Sequence, residues 1–210
     1  MSHDGLNDSL ILRLGCGDEH AFVELFTQNR SRLKRMIEFR LDRRLRGRED
    51  ASDILQEVYI DAHQRIRHYL KRPDLSFYIW LRQLTAQRLI DVHRRHVATD
   101  MRSVNHEVAL NRFDPTATSA SIAFQLAARL ASPSQLAMKA ELHDQIQLAI
   151  EAMDPLDREI LALRHFEELR NNEVAEVLDL KPAAASNRYV RALARLGEIL
   201  DSIPGLADED

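Results

Sequence analysis

The chain has 210 residues, 45% hydrophobic and 30% charged with only 6 Gly and 6 Pro, a composition that allows one or two small domains and favours helix. A single cysteine, Cys16, excludes a disulfide framework, and with no signal peptide or bilayer-length apolar run we expect a soluble, cytoplasmic protein. The net charge of −4 predicts that any DNA binding is local and weak without a partner, because proteins that hold DNA unaided are usually basic.

The first predicted elements are a short helix over Ser9 to Leu14 and a long helix from Asp18, which can cap it, to about Leu45. The core face of the long helix is predicted from apolar residues at helical spacing: Ala21, Phe22, Leu25, Phe26, Leu33, Met36, Ile37 and Leu41. Its outer face is basic: Arg30, Arg32, Lys34, Arg35, Arg40, Arg43, Arg44, Arg46 and Arg48. Such a block attracts an acidic surface or a phosphate backbone, and a solvated basic face is the alternative.

A second helix is predicted from about Asp50 to Tyr69. Its buried side is predicted to hold Ala51, Ile54, Leu55, Val58, Tyr59, Ala62, Ile66 and Tyr69. The opposite side carries an acidic and amide-rich strip: Asp53, Gln56, Glu57 and Gln64. Beside so basic a neighbour, this strip predicts a docking face for a positively charged partner, although acidic residues in a first turn also suit the helix dipole.

The third predicted helix runs from about Ser76 to Val97, after a loop from His68 to Asp74. One side of this helix combines an aromatic ring with amides and charges: Trp80, Gln83, Gln87, Asp91 and Arg94. An aromatic plate beside hydrogen-bonding groups is what an unpaired base needs once it leaves its stack. Packing of Trp80 against a neighbouring helix is the alternative.

The pattern weakens between residues 99 and 133, which we predict to be a flexible linker with a helical turn or two around Ser121 to Leu130. The chain is therefore predicted to be all-α, with a first domain over 1–98, a second over 134–200 and an acidic tail over 201–210. The second domain begins with a helix from Ser134 to Met153 and continues, after a break at 154–155, with a helix from Asp157 to Phe166.

A helix-turn-helix is predicted next: Asn172 to Leu178, a turn over 179–182, and Ala183 to Leu200. The second helix is expected to bury Ala185, Tyr189, Ala192, Leu193, Leu196 and Leu200. Its other side presents Ala184, Asn187, Arg188, Arg191 and Arg195. Asparagine and arginine pair with base edges or phosphates, so this face suits a major groove; a solvated helix is the alternative.

The sequence offers no constellation for catalysis, since it has no Gly-rich phosphate loop and no nucleophile motif. His93 and His96 are three residues apart in an Arg-rich helix end, without the cysteine or acidic partners that a metal site requires. We therefore expect a protein that is not an enzyme and uses neither a metal nor another cofactor.

Three motifs in order carry a family resemblance. DASDILQEVY at 50–59 is followed by FYIWL at 77–81 with Gln87, Asp91, Arg94 and Arg95; then come LDREILALRHF at 156–166, NEVA at 172–175 and RYVRA at 188–192. Together they resemble bacterial RNA polymerase sigma factors of the extracytoplasmic-function (ECF) type, which have two helical domains joined by a linker. The resemblance covers roughly residues 18–98 and 134–200.

The resemblance implies a role for each motif. It implies docking on the clamp helices of the largest polymerase subunit by Asp50, Asp53, Gln56 and Glu57, and a further contact with the polymerase flap. It implies capture of the unpaired −10 promoter element by Trp80, Gln87, Asp91, Arg94 and Arg95, with the loop His68 to Leu75 as the base pocket. It implies reading of the duplex −35 element by Ser186, Asn187, Arg188, Arg191 and Arg195. Members of this family are often held by an anti-sigma protein, which adds an expected partner to core polymerase and promoter DNA.

The sequence departs from the family pattern at several positions. Ser52 stands where the signature has Glu, Gln87 replaces Asn, and Asp179 replaces a usual turn Gly, although Asp tolerates a left-handed backbone. Ala184, Ala185 and Ser186 replace the common Thr-Val-Lys, so the family's promoter preference is not carried over.

Two other functions remain open at this stage. An ordinary helix-turn-helix regulator would bind a two-fold DNA site without polymerase. An interaction protein, such as an anti-sigma or adaptor decoy, would keep the partner-binding faces without using DNA.

Overall fold

The computed structural model of the protein describes residues 3–42, 44–71, 75–97, 115–130 and 136–203. Within these ranges the secondary structure is helical and contains no strand, which confirms the all-α prediction. The chain divides into two compact units, Met1–Asn105 and His106–Asp210. The predicted acidic tail lies outside the described residues from position 204 onwards.

The first unit is built from α1 (His3–Gly15), α2 (Glu19–Arg40), α3 (Ala51–Lys71) and α4 (Phe77–Val97). As predicted, Asp18 caps α2, and its Oδ1 accepts a hydrogen bond from the His20 amide at 3.0 Å. The helix α1 is longer than the predicted Ser9 to Leu14.

The helix α2 ends earlier than the predicted Leu45. Leu41 adopts an extended backbone (φ −69°, ψ 123°), while its N–H still bonds the Ile37 carbonyl at 2.8 Å. The following turn is held by Asp42, whose carboxylate accepts from the Arg44 amide at 2.8 Å and pairs with the Arg44 guanidinium at 2.7 Å. The contacts between Asp42 and Arg44 therefore form a turn where the spacing of apolar residues predicted that the helix continues to Leu45.

The core of the first unit lies among α2, α3 and α4, and α1 packs on α2. Its most buried apolar side chains are at most 2% exposed: Phe22, Leu25, Leu33, Met36, Ile37, Ile54, Leu55, Leu81 and Leu89. Two members of the predicted basic face are drawn inward, which corrects that prediction. Arg40 is buried, and the Arg32 guanidinium lies 3.5 Å from the centroid of the Tyr78 ring.

The helix α3 extends to Lys71, so residues 68–71 are helical where a loop was predicted from His68. Tyr69 and Ile66 continue the buried stripe of α3 through this region, which explains the extension. Residues 72–74, the centre of the predicted base pocket, lie outside the described residues.

The second unit contains α5 (Pro115–Leu130), α6 (Leu136–Glu151), α7 (Pro155–Leu161) followed by a π-helical turn (Ala162–Phe166), α8 (Asn171–Leu178) and α9 (Pro182–Asp201). The 16-residue helix α5 occupies much of the segment predicted as a flexible linker, where only one or two turns were expected. It packs on α6 and α7, and its Ser119 hydroxyl accepts a 2.8 Å hydrogen bond from Arg158. This helix has a buried apolar side, formed by Ile122, Ala123 and Ala127. Its Ala- and Ser-rich composition did not indicate that side in the sequence.

The helix-turn-helix forms as predicted, within a residue or so at each end. Asp179 adopts the left-handed conformation (φ 53°, ψ 49°) and Pro182 occupies the first turn of α9. The Asn171 amide donates to the Pro182 carbonyl at 2.8 Å and so ties the start of α8 to the start of α9.

The buried side of α9 is narrower than predicted, because Tyr189 and Leu200 are only half-buried. Ala185, Ala192 and Leu196 are buried as predicted, but Leu193 is 38% exposed. Ile199 is buried in addition. The buried stripe is therefore rotated slightly around the helix axis, away from Leu193.

Candidate functional site

The docking strip predicted on α3 lies at the start of that helix. Asp50 precedes the first helical residue and accepts a hydrogen bond from the Ser52 amide at 2.6 Å. That backbone hydrogen bond, with a further one from the Ser52 side chain, holds the pKa of Asp50 below its usual value, so the carboxylate stays charged at neutral pH. Asp53 and Gln56 follow on the exposed side of the helix. These three residues form one acidic surface at the positive end of the helix dipole.

Glu57 differs from the other strip residues because it is engaged by α4. Its carboxylate forms an ion pair with the Arg88 guanidinium, through both Nε and Nη2. The pair remains at the surface, with the Glu57 side chain 41% exposed and that of Arg88 32% exposed. The pair therefore links the docking strip to the helix that carries Trp80.

Ile60 lies one turn beyond Gln56 and is 49% exposed, so the acidic strip ends in an apolar side chain. Ile60 was not predicted to belong to this surface. It could have been recognised from the sequence, because it is an isoleucine at helical spacing from Gln56 and Glu57, on the polar side of the helix.

Trp80 lies in an aromatic cluster between the end of α3 and the start of α4. Its ring stacks on Tyr69 with centroids 4.7 Å apart and planes at 28°, and meets Phe77 at 5.5 Å. The Tyr69 hydroxyl donates to the Leu75 carbonyl at 3.1 Å and fixes the ring below Trp80. Tyr69 and Phe77 are buried, whereas Trp80 keeps part of its surface exposed. The indole is thus packed on one side, as the packing alternative predicted, and capture of a base by its exposed part stays a prediction.

The remaining α4 residues continue from Trp80 toward the C-terminal end of the helix. Gln87 and Asp91 are half-buried and bonded to each other, with 3.2 Å between Nε2 and Oδ1, while Arg94 and Arg95 are exposed in the last turn. Trp80 and Arg94 are fourteen residues apart, so about 21 Å of helix axis separates them. These residues form a strip along α4, with an aromatic ring at one end and two guanidinium groups at the other.

The α9 face presents the residues expected to meet duplex DNA, with one exception. Ser186, Asn187, Arg191 and Arg195 are exposed. Arg195 pairs with Glu198 at 2.8 Å. Val190 is 62% exposed, one turn beyond Asn187 on the same side, and was not among the predicted DNA-binding residues. Val190 could have been recognised from the sequence, because it is a β-branched apolar residue outside the predicted buried side of the helix.

Arg188 is the exception, because its guanidinium is held by two carboxylates of α7. Nε lies 2.6 Å from Asp157 Oδ1 and Nη2 lies 2.7 Å from Asp154 Oδ1, and the side chain is 26% exposed. Asp154 also caps α7 by accepting from the Leu156 amide at 2.8 Å. Partial burial raises the pKa of Asp154, but the Leu156 hydrogen bond and the Arg188 charge outweigh it, and the pKa lies below its usual value.

The histidines considered as metal ligands have other contacts. His96 Nε2 lies 2.7 Å from Glu49 Oε1, and His93 Nε2 faces the Asp42 amide at 3.4 Å. Among the described residues, no group of His, Cys, Asp and Glu side chains is placed to hold a metal ion. In the same part of the chain, no helix combines the length and apolar character needed to cross a membrane.

Two families match the chain at these surfaces. The Sigma-70 region 2 family matches residues 25–99, which include the α3 strip and the Trp80 cluster. The Sigma-70, region 4 family matches residues 143–196, which include the helix-turn-helix. The two matched segments lie in different compact units and in the order that the sequence motifs predicted.

Similar proteins carry related names. The chain is 33% identical over 171 residues to the probable RNA polymerase sigma factor RfaY of Xanthomonas campestris pv. campestris, covering 75% of this chain but only 38% of that protein. It is 24% identical to the ECF RNA polymerase sigma-E factor of Escherichia coli K12, covering 91% of this chain and 93% of that protein. It is 23% identical to the RNA polymerase sigma-H factor of Pseudomonas aeruginosa, covering 94% and 95%.

A solved structure, of CnrH in complex with the cytosolic domain of CnrY, aligns with 22% identity and a TM-score of 0.49, over 95% of this chain and 97% of that chain. The family assignment depends on the two matched regions and on the named relatives, whose similarity extends over most of this chain. The chain therefore belongs to the sigma-70 family of bacterial RNA polymerase sigma factors, as a member of the extracytoplasmic-function type, and its function is to direct transcription initiation at promoters.

Proposed function

We propose that this sigma factor divides its work between the two compact units: the first docks on core RNA polymerase and holds the unpaired −10 element, and the second reads the duplex −35 element. The observation that carries the proposal is the presence of separate exposed polar faces on α3 and α9. The α3 face is acidic and the α9 face carries Asn187 and Arg191, so the two faces suit partners of opposite charge.

The docking surface is the strip Asp50, Asp53 and Gln56, with Ile60 at its end. A basic and partly apolar partner surface complements it, and the clamp helices of the largest polymerase subunit fill that role in our proposal. Glu57 contributes less directly, because its carboxylate is already paired with Arg88. The ion pair holds α4 beside the docking strip, so docking and promoter capture share one framework. A second contact, between the second unit and the polymerase flap, completes the proposed attachment.

The −10 surface is the strip along α4. Trp80 offers the exposed part of a ring that Tyr69 supports from the other side, which suits stacking of a base that has left the duplex. Gln87 and Asp91 provide hydrogen-bonding groups, and Arg94 and Arg95 provide charge for the backbone. The order of these groups along α4 predicts that the strand runs from the aromatic cluster toward the last turn of the helix.

The −35 surface is the exposed side of α9. Asn187 suits an adenine edge, Arg191 suits a guanine edge or a phosphate, and Ser186 and Arg195 lie beside them. Arg188, assigned to the same role from the sequence, is engaged with α7 instead.

The net charge of −4 is compatible with this function because the two DNA contacts are linked. Each contact is weak alone, and joining them through the polymerase raises the effective concentration of the second contact. The protein would act stoichiometrically and without catalysis, in the cytoplasm where the polymerase meets DNA. An anti-sigma protein that covers the α3 and α9 faces would keep it inactive.

A labelled form of the protein tests the division of work. Cys16 is the single cysteine and is exposed just after α1, so it accepts a fluorophore. Fluorescence anisotropy should rise at the same core polymerase concentration for the wild type and for Arg191→Ala, and at an about tenfold higher concentration for Asp53→Lys. Equal binding by Asp53→Lys and wild type would contradict the docking assignment.

A further inference from the structure

The guanidinium of Arg188 and the carboxylates of Asp154 and Asp157 form a cluster that joins α9 to α7. Both nitrogen–oxygen distances, 2.6 and 2.7 Å, are those of charge-assisted hydrogen bonds. Asp157 is 23% exposed and Arg188 is 26% exposed, so their contact is partly shielded from solvent, whereas Asp154 is 52% exposed and its contact with Arg188 lies at the surface. Arginine suits such a site because its rigid fork can meet two oxygens at once.

The cluster attaches the second turn of α9 to the start of α7. Arg188 lies in the second turn of α9, where an anchored side chain restricts rotation of the helix about its axis. With Arg188 directed at α7, the outward arc holds eight exposed residues: Ala183, Ala184, Ser186, Asn187, Val190, Arg191, Ala194 and Arg195. Val190, 62% exposed, lies one turn beyond Asn187 on the same exposed side of the helix.

The local charge also disfavours a DNA contact at Arg188. One guanidinium beside two carboxylates leaves a net charge of −1 at the cluster, and a phosphate approaching it would be repelled by Asp154 and Asp157. A direct contact would require Arg188 to leave both carboxylates, and would leave them unpaired near the DNA backbone.

We propose that Arg188 is a positioning residue, which sets the rotation of α9 on α7 through Asp154 and Asp157, and that DNA is read by the neighbouring Asn187, Val190 and Arg191. This inference rests on the proposed function of the second unit. Within that function, it assigns the first arginine of the RYVRA segment, Arg188, a structural link instead of a base or phosphate contact. It also adds Val190, whose methyl groups suit the C5-methyl group of thymine in the major groove.

The test uses substitutions whose effect on promoter binding differs in direction between the two possible roles of Arg188, helix positioning and DNA contact. Asp157→Asn removes one carboxylate charge with almost no change in volume, and Asp154→Asn keeps a capping side chain for α7. If Arg188 is a positioning residue, these variants weaken promoter binding as Arg188→Ala does. If Arg188 contacts DNA, removing the carboxylates frees the guanidinium and reduces repulsion, so binding stays equal or tightens.

The measurement is the affinity of the holoenzyme, formed from core polymerase and the full chain, for a promoter fragment selected with the wild-type protein. We expect Arg188→Ala and the double variant Asp154→Asn/Asp157→Asn each to weaken binding by roughly tenfold. The triple variant should lose no more than about twofold further, because the residues act as one unit. The slope of log affinity against log salt should stay unchanged for Arg188→Ala, whereas loss of a phosphate contact would reduce it by about 0.9.

Arg191→Ala is the matched control, since Arg191 is an exposed arginine on the outward arc three residues away. It should change the salt slope or the base preference. A loss confined to Arg188→Ala, a reduced salt slope for that variant, or no loss in either Arg188→Ala or the double variant would overturn the proposal.

Failure of the proposed function gives a different result: the wild-type holoenzyme would then select no promoter fragment. In that case, thermal unfolding of the full chain tests whether Arg188, Asp154 and Asp157 interact as one cluster. The midpoint should fall by on the order of 5 °C for Arg188→Ala and for the double variant, without additivity, and additive shifts would overturn the cluster itself.

Discussion

Replacing Trp80 by alanine separates the packing role of this residue from its proposed role in promoter melting. The change removes an indole that stacks on Tyr69 at 4.7 Å and meets Phe77 at 5.5 Å. Each aromatic contact adds about 0.5–1.5 kcal/mol beyond area burial, so loss of both lowers the free energy of unfolding of the first unit by roughly 1–3 kcal/mol. The loss stays below that of a fully buried tryptophan because Trp80 is half-buried.

The functional effect is separate and can be larger. If the exposed part of the indole receives an unpaired base, the lost stacking is worth about 1–3 kcal/mol. Since about 1.4 kcal/mol corresponds to a factor of ten, open-complex formation should fall roughly 5- to 150-fold. The assay is permanganate reactivity of unpaired thymines in the holoenzyme–promoter complex, at a temperature where circular dichroism shows that wild type and variant are both folded.

Two matched variants complete the test. Trp80→Phe keeps a ring on Tyr69 and should retain most of the melting activity. Tyr69→Phe loses the 3.1 Å hydrogen bond to the Leu75 carbonyl but keeps the ring stack, so promoter melting should be unchanged. A Trp80→Ala protein that is destabilised as expected but opens the promoter at the wild-type level would refute the base-stacking role.

Three further predictions concern single aspartates. Asp179→Gly should raise the free energy of unfolding by about 0.5–1 kcal/mol because the backbone is left-handed there (φ 53°), and a lower unfolding midpoint would contradict this. Asp53→Lys should weaken core polymerase binding by on the order of tenfold through charge reversal, measured by anisotropy; Asp201→Lys, exposed at the end of α9, should not, and equal losses would refute the docking strip. The hydrogen bond from Arg13 holds the pKa of Asp18 below 3.8, so this stabilisation is present above pH 3.8 and lost as the pH falls further. Asp18→Asn should therefore flatten the dependence of the unfolding midpoint on pH below about pH 4, and an unchanged slope would argue against the pairing.

Features that depend on neighbouring residues were predictable from the sequence. The cap at Asp18 and the proline at position 182 follow from the hydrogen-bonding needs of the first turn of a helix. Asp179 was recognisable as a left-handed turn residue because it stands where the family pattern has a turn Gly, and Asp tolerates that backbone. The periodicity of apolar residues also predicted most of the buried side of α3, including Ile54 and Val58.

Features that depend on distant residues were not predictable. The helix α5 has an Ala- and Ser-rich sequence typical of a linker, and its stability in the fold comes from packing on α6 and α7. Arg188 lies on the polar side of the α9 wheel, and only the arrangement of α7 shows that Asp154 and Asp157 hold it. In the same way, Arg40 belongs to a basic sequence block, but its burial depends on how α2 packs within its unit.

The most direct test of the account is run-off transcription on a library of promoter fragments, with core RNA polymerase in the presence and absence of the protein. A gel-shift assay of the protein alone on the same DNA runs beside it. The account predicts specific transcripts only when both components are present, their loss with Trp80→Ala or Arg191→Ala, and no discrete shift by the protein alone. A discrete shift without polymerase, and no new start site with it, would contradict the account and favour an ordinary helix-turn-helix regulator.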